Sequence, residues 1–172
     1  MKYPALLFIT ALLIGCSTDN MMQPQSTDAI NGQQKRNQAA TIPFIGVYNT
    51  NATLGPTMIT NTGEGHSTHL GKSTITARHT YPNPNFNGTL EFVSASGAKL
   101  FADLNGTSQP PDANGLARFT GDVIITGGTG RFVTASGHLD ATGWVDFSTS
   151  DLSGQVKYTG NIQFFPLHIV RN

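Results

Sequence analysis

The chain has 172 residues, with ten Lys+Arg balanced by ten Asp+Glu and only 12% of its residues charged. That length suits a single domain, and the scattered, balanced charges leave no basic stripe for nucleic acid and no polycationic patch for anionic lipid. One cysteine excludes an internal disulfide.

Met1 to Cys16 carries one basic residue, Lys2, then an apolar run from Ala5 to Ile14, and ends Leu13-Ile14-Gly15-Cys16. The run is too short to span a bilayer, and it has the small residue before the break that a signal peptidase needs. This ending resembles the lipobox of bacterial lipoproteins, in which the cysteine is lipidated and becomes the first residue after cleavage. The resemblance implies a signal peptide over 1–15, lipid on Cys16, membrane attachment through that lipid, and an address in the bacterial cell envelope, periplasmic or outer-membrane. Lipidation would also use up the only thiol, leaving none for catalysis or metal. The following stretch to Thr41 is rich in Gln, Asn, Ser and Thr without periodicity. It cannot bury enough surface to offset chain entropy, so 16–41 is expected to be a flexible tether and 42–172 the folded domain.

From Pro43 onward no window sustains apolar residues at helical spacing, whereas Thr, Val, Ile and Phe recur in short runs separated by Gly, Asn, Pro and Asp. The pattern predicts an all-β domain. Pro43 to Tyr48 opens as a strand, and after a turn at Leu54-Gly55-Pro56 a short strand follows at Met58-Ile59. Glu64 to Tyr81 reads as one long strand with a bulge at Gly71, ending at Pro82 and Pro84. Phe86 to Phe92 alternates, as do Leu100, Ala102 and Leu104, and a long loop crosses Gln109 to Asp112. Leu116 to Thr126 leads to the corner Gly127-Gly128-Thr129-Gly130. Leu139 to Phe147 then alternates, its odd positions small or apolar, and Val156, Tyr158, Ile162 and Phe164 mark the inner face of the last strand. About eight strands result. They would close into a barrel or pack as a sandwich, and glycines inside strands favour the barrel, because a small closed sheet coils sharply.

Gly127-Gly128-Thr129-Gly130-Arg131-Phe132 with Ala135-Ser136-Gly137, and Thr68-His69-Leu70-Gly71, resemble motifs of the allene oxide cyclase and dirigent barrel group and of secreted bacterial proteins that share it. The resemblance implies an eight-stranded antiparallel barrel with a cavity. In the plant enzymes it also implies a cofactor-free cyclisation of an unsaturated epoxide, but no catalytic residue of those enzymes matches a position here.

The corner of Gly127, Gly128, Thr129 and Gly130 reads as a structural turn, because glycines supply positive φ and Thr129 can bond neighbouring backbone. A phosphate cradle fails on spacing, since neither GxxxxGK[ST] nor GxGxxG is satisfied. Glu64, His66, His69 and Arg78 are candidate cavity-lining residues. In an uninterrupted strand His66 and His69 point to opposite faces, so no shared metal site, and no metal or cofactor, is expected. His138 and Asp140 share a face with Thr142, Trp144 and Asp146, which reads as solvent-facing; Trp144 is the exception on it. Two functions compete. One is a non-catalytic lipoprotein whose barrel binds an apolar ligand or an envelope partner, with no role for nucleic acid. The other is a cyclase or isomerase acting on an unsaturated lipid, with Glu64, His66 or Arg78 positioning the substrate.

Overall fold

The computed structural model describes residues 40–164. The expected signal peptide, Cys16 and the tether up to 39 lie outside the described residues, as does 165–172. Eight strands follow in order: β1 Ala40–Leu54, β2 Met58–Ser67, β3 Gly71–Thr80, β4 Asn85–Ser94, β5 Lys99–Ser108, β6 Leu116–Gly128, β7 Ser136–Asp146 and β8 Ser153–Phe164, with one 3-10 turn, Gly130–Phe132, between β6 and β7. Each strand pairs antiparallel with the next, and β8 returns to β1 to close the barrel. Closure removes every free edge, which the sandwich alternative would have left to protect.

Two strands differ from the sequence expectation. β1 starts at Ala40, inside the stretch read as tether, and Thr41 is already paired with Gln163. The long strand expected over Glu64 to Tyr81 is instead a hairpin: β2 and β3 pair from Met58↔Thr80 to Ser67↔Gly71, and the chain reverses through Thr68, His69 and Leu70. His69 and Gly71 both take φ of 66° there. A histidine in that conformation carries no breaker signature, so the reversal was hidden. Gly63 and Gly65 lie within β2, where carbonyls of Asn49 and Val47 on β1 occupy the space a Cβ would need.

The interior follows the period-2 alternation of every strand. Tyr48, Phe92 and Tyr158 meet at mid-height as a triangle of rings with centroids 5.2 to 5.9 Å apart, and Phe44 packs edge-on beneath Phe92 at 5.6 Å. Below the triangle, Leu100, Ile125, Leu139 and Ile162 fill the barrel and are fully buried or nearly so.

The glycine corner shuts that end. Thr129 docks on β5, its N–H donating to Lys99 O at 2.8 Å and its Oγ1 accepting from Lys99 N at 2.9 Å. The 3-10 turn then carries Phe132 under the barrel, where it is fully buried and edge-on to Phe164 at 5.2 Å. Arg131 lies over the Phe132 ring at 4.8 Å and donates to His69 O. His69 Nε2 in turn donates to Pro43 O at 2.9 Å. The two motifs that carry the sequence resemblance therefore pack against each other as the plug of the closed end. Rather than a tight hairpin, the corner is a docked turn whose glycines differ in role. Gly130 has φ of 58°, and Gly128 leaves room for Lys99 O and the Phe132 side chain.

Phe132→Ala is expected to cost about 3–5 kcal/mol by emptying the plug, and Gly130→Ala about 1 kcal/mol from backbone strain. Gly128→Val should fall nearer the first, because its Cβ meets backbone. Denaturant unfolding of the three variants checks this order; equal losses at positions 130 and 132 would mean that the ring is not the plug.

Candidate functional site

Above the aromatic triangle the barrel stays open. The residues that turn inward there include Ala52, Ala77, Ala117 and Ala141, and they surround a cavity of about 80 Å³ that reaches solvent at the mouth. That is several times the space one water needs. Ile59, Ile75, Phe86, Leu104 and Val156 complete an apolar wall, and Tyr158 lines it from the triangle below. Large apolar side chains continue the surface outward: Leu54, Met58, Tyr81 and Phe147, on the strand ends and loops of this rim, are 41 to 51% exposed. Isolated exposed apolar residues mean little, but four on one rim around an apolar cavity form a collar.

Thr50, Asn61, His79, Ser108 and Tyr158 are the polar residues of the wall, and three of them, Tyr158, Thr50 and His79, are buried. Tyr158 is 3% exposed and Thr50 is 8% exposed. Neither hydroxyl has a hydrogen-bond partner among the described residues, yet no fully buried side-chain polar atom there is left unpaired, so both open onto the cavity space. Burial, and secondarily the neighbouring Tyr48, pushes the Tyr158 phenol well above its ordinary range. Tyr158 therefore stays protonated and can donate. Tyr48 differs: its hydroxyl is bonded to Ser67 Oγ at 3.0 Å and Ser73 Oγ at 2.8 Å and is committed to structure.

The third is His79, on the upper end of β3. Its Nδ1 lies 2.8 Å from Thr80 O and its Nε2 2.8 Å from Asn61 Nδ2. A carbonyl only accepts, so Nδ1 carries the proton and Nε2 accepts from the Asn61 amide. Burial lowers the pKa of the ring, outweighing the opposite effect of the Thr80 bond. His79 is a neutral ring with both nitrogens engaged, packed on Phe86 at a centroid distance of 4.9 Å.

The candidates taken from sequence stand elsewhere. Glu64, His66 and Arg78 are exposed on the outer surface, and His69 is half-buried in the plug; none of the four lines the mouth cavity. The β3 alternation already carried the correction, because Ser73, Ile75, Ala77 and His79 share the inner face and so place Arg78 outside. Tyr158 is already on the inner face read for the last strand, whereas Thr50 lies beyond the strand expected over Pro43 to Tyr48 and is placed by the longer β1; the lack of partners at both depends on the opposite wall. His138 and Asp140 do share the outer face, but His138 Nε2 contacts Asp122 Oδ1 across the hairpin at 3.2 Å. Asp122, His138 and Asp140 offer ligand atoms within 4.8 Å of one another, and all three are exposed.

No protein-family model matches the chain, and no curated protein matches it. Among solved structures the chain is similar to a pterocarpan synthase dirigent protein, at 13% identity over 78% of this chain and 89% of that one, with a TM-score of 0.42. So distant a likeness carries no activity across.

The depressed His79 pKa sets a pH dependence. The unfolded ring, with its ordinary value near 6.5, takes up a proton before the folded ring does. Its contribution to stability is therefore present above that value and lost as pH falls below it. Denaturation midpoints measured at pH 7.5 and pH 5.5 should drop for the natural chain, and His79→Gln should reduce that drop. An unchanged difference would assign the pH dependence to other groups.

Proposed function

We propose that this chain is a membrane-attached bacterial lipoprotein whose barrel takes up an apolar small molecule at its open end. The observation that carries the reading is an apolar cavity onto which the hydroxyls of two buried residues, Thr50 and Tyr158, open without a protein partner among the described residues. Apolar surface buried on binding contributes about 25 cal/mol per Å². A hydrogen bond from Tyr158 to an oxygen of the ligand adds about 0.5–1.5 kcal/mol and fixes its orientation. The enclosed space suits one ring or the end of a chain, and the collar of Leu54, Met58, Tyr81 and Phe147 would cover whatever protrudes.

Catalysis on an unsaturated lipid required Glu64, His66 or Arg78 beside the substrate, and these stand on the outside of the barrel. His79 has both nitrogens engaged. The wall thus offers hydroxyls that position a ligand, without a free acid–base pair that would transform it. Attachment through lipid on Cys16 rests on the Leu13-Ile14-Gly15-Cys16 ending.

Two measurements test this. Binding of the uncharged fluorescent probe N-phenyl-1-naphthylamine should be saturable and should be lost in Ala141→Phe, whose ring occupies the cavity. For retained oxygen-bearing ligands identified by mass spectrometry, Tyr158→Phe should weaken affinity by up to about tenfold. Probe binding that survives Ala141→Phe would place the apolar site outside the barrel. Separately, Cys16→Ser should move the chain from the membrane to the soluble fraction with an unchanged circular dichroism spectrum. Continued membrane association would remove the lipid from the account.

A further inference from the structure

The outer face of β6, β7 and β8 carries a second concavity, independent of the mouth. Its space is about 510 Å³. Register explains how it is built: Arg118 on β6 and Gln155 on β8 stand directly opposite Trp144 on β7, and one step along the same face Thr120 and Lys157 flank Thr142. Trp144 is half-buried while Arg118, Gln155 and Lys157 are exposed. Gln155 Nε2 donates to Asn49 Oδ1 at 3.0 Å, which holds that amide in place. Neither Arg118 nor Lys157 has an acidic partner among the described residues, and no carboxylate lines the groove.

We infer that this groove binds a saccharide chain that carries carboxylates. A half-buried indole offers a flat, electron-rich face on which the C–H side of a sugar ring stacks. The hydroxyls of Thr120 and Thr142 and the Gln155 amide supply the neutral hydrogen bonds that sugar hydroxyls take, while the unpaired Arg118 and Lys157 supply positive charge for a carboxylate. The next step along the face argues against a denser polyanion. Asp122 and Asp140 stand directly opposite each other there, both exposed. Nucleic acid brings a phosphate at every residue of each strand and would meet that pair, whereas a sugar chain with charges spaced between neutral hydroxyls need not.

Trp144 is the only tryptophan in the chain, so its emission reports this groove alone. The full chain is titrated with oligogalacturonate, with its fully methyl-esterified form, and with an oligothymidylate, while tryptophan emission and calorimetric heat are followed. The expected result is saturable binding of the acid that changes the emission and weakens with added salt, with the ester at least about tenfold weaker. Arg118→Gln combined with Lys157→Gln, both at exposed positions, should weaken the acid about tenfold while leaving the melting temperature unchanged, and Ala141→Phe should leave this binding intact. The inference is overturned if the ester binds as tightly as the acid, if the oligothymidylate binds as tightly, if emission does not respond, or if the double variant retains full affinity.

Discussion

The contact of Tyr48, Phe92 and Tyr158 divides this barrel, and most of its other features follow from where that triangle falls. A closed sheet of eight strands encloses just enough width for side chains to fill it, so its interior is either packed or left as one small void. Three rings at mid-height close the cross-section from wall to wall. Beneath them Leu100, Leu139 and Ile162 are fully buried, and above them Ala52, Ala77, Ala117 and Ala141 are interleaved with larger apolar residues around the cavity. The short alanine side chains contribute to the space left there.

The same division sorts the polar groups. Below and beside the triangle every buried polar atom is satisfied, as with Tyr48 on its two serines. On its upper side Tyr158 supplies the apolar floor through its ring and an unpaired hydroxyl at the edge. Because that hydroxyl opens onto the cavity, it is free to bond whatever occupies the space, as a hydroxyl locked in the packed half is not.

Much of the architecture was legible in the residues. Alternation on β7 and β8 assigned inner and outer faces residue by residue, because each strand has one wet face and one packed face. The glycines at 88 and 160 also read correctly as signs of tight coiling: carbonyls of Arg78 and His138 on the adjacent strands fill the positions where their Cβ atoms would sit. What failed to show was the reversal at Thr68 to Leu70, where a histidine does what a glycine usually does. The hairpin leaves Glu64 and His66 on the outer face and places His79, on the inner face of β3, at the mouth. Pairings across the barrel, such as Arg131 with His69 O, join residues far apart in sequence and leave no local trace.

Ala40 and Phe164 are partners in the β1–β8 ladder, at the end that Phe132 plugs. The described chain thus begins and ends at one point of a ring, and its numbering records where the ring happens to be cut. Joining those ends and opening the loop between β5 and β6, at the far rim, would reproduce the same circle of neighbours. It also follows that both ends of the described segment and both glycine-bearing motifs are gathered on one pole. The opposite pole, with the cavity, is formed only by strand ends and connecting loops, whose lengths can drift without breaking a single rung of the sheet.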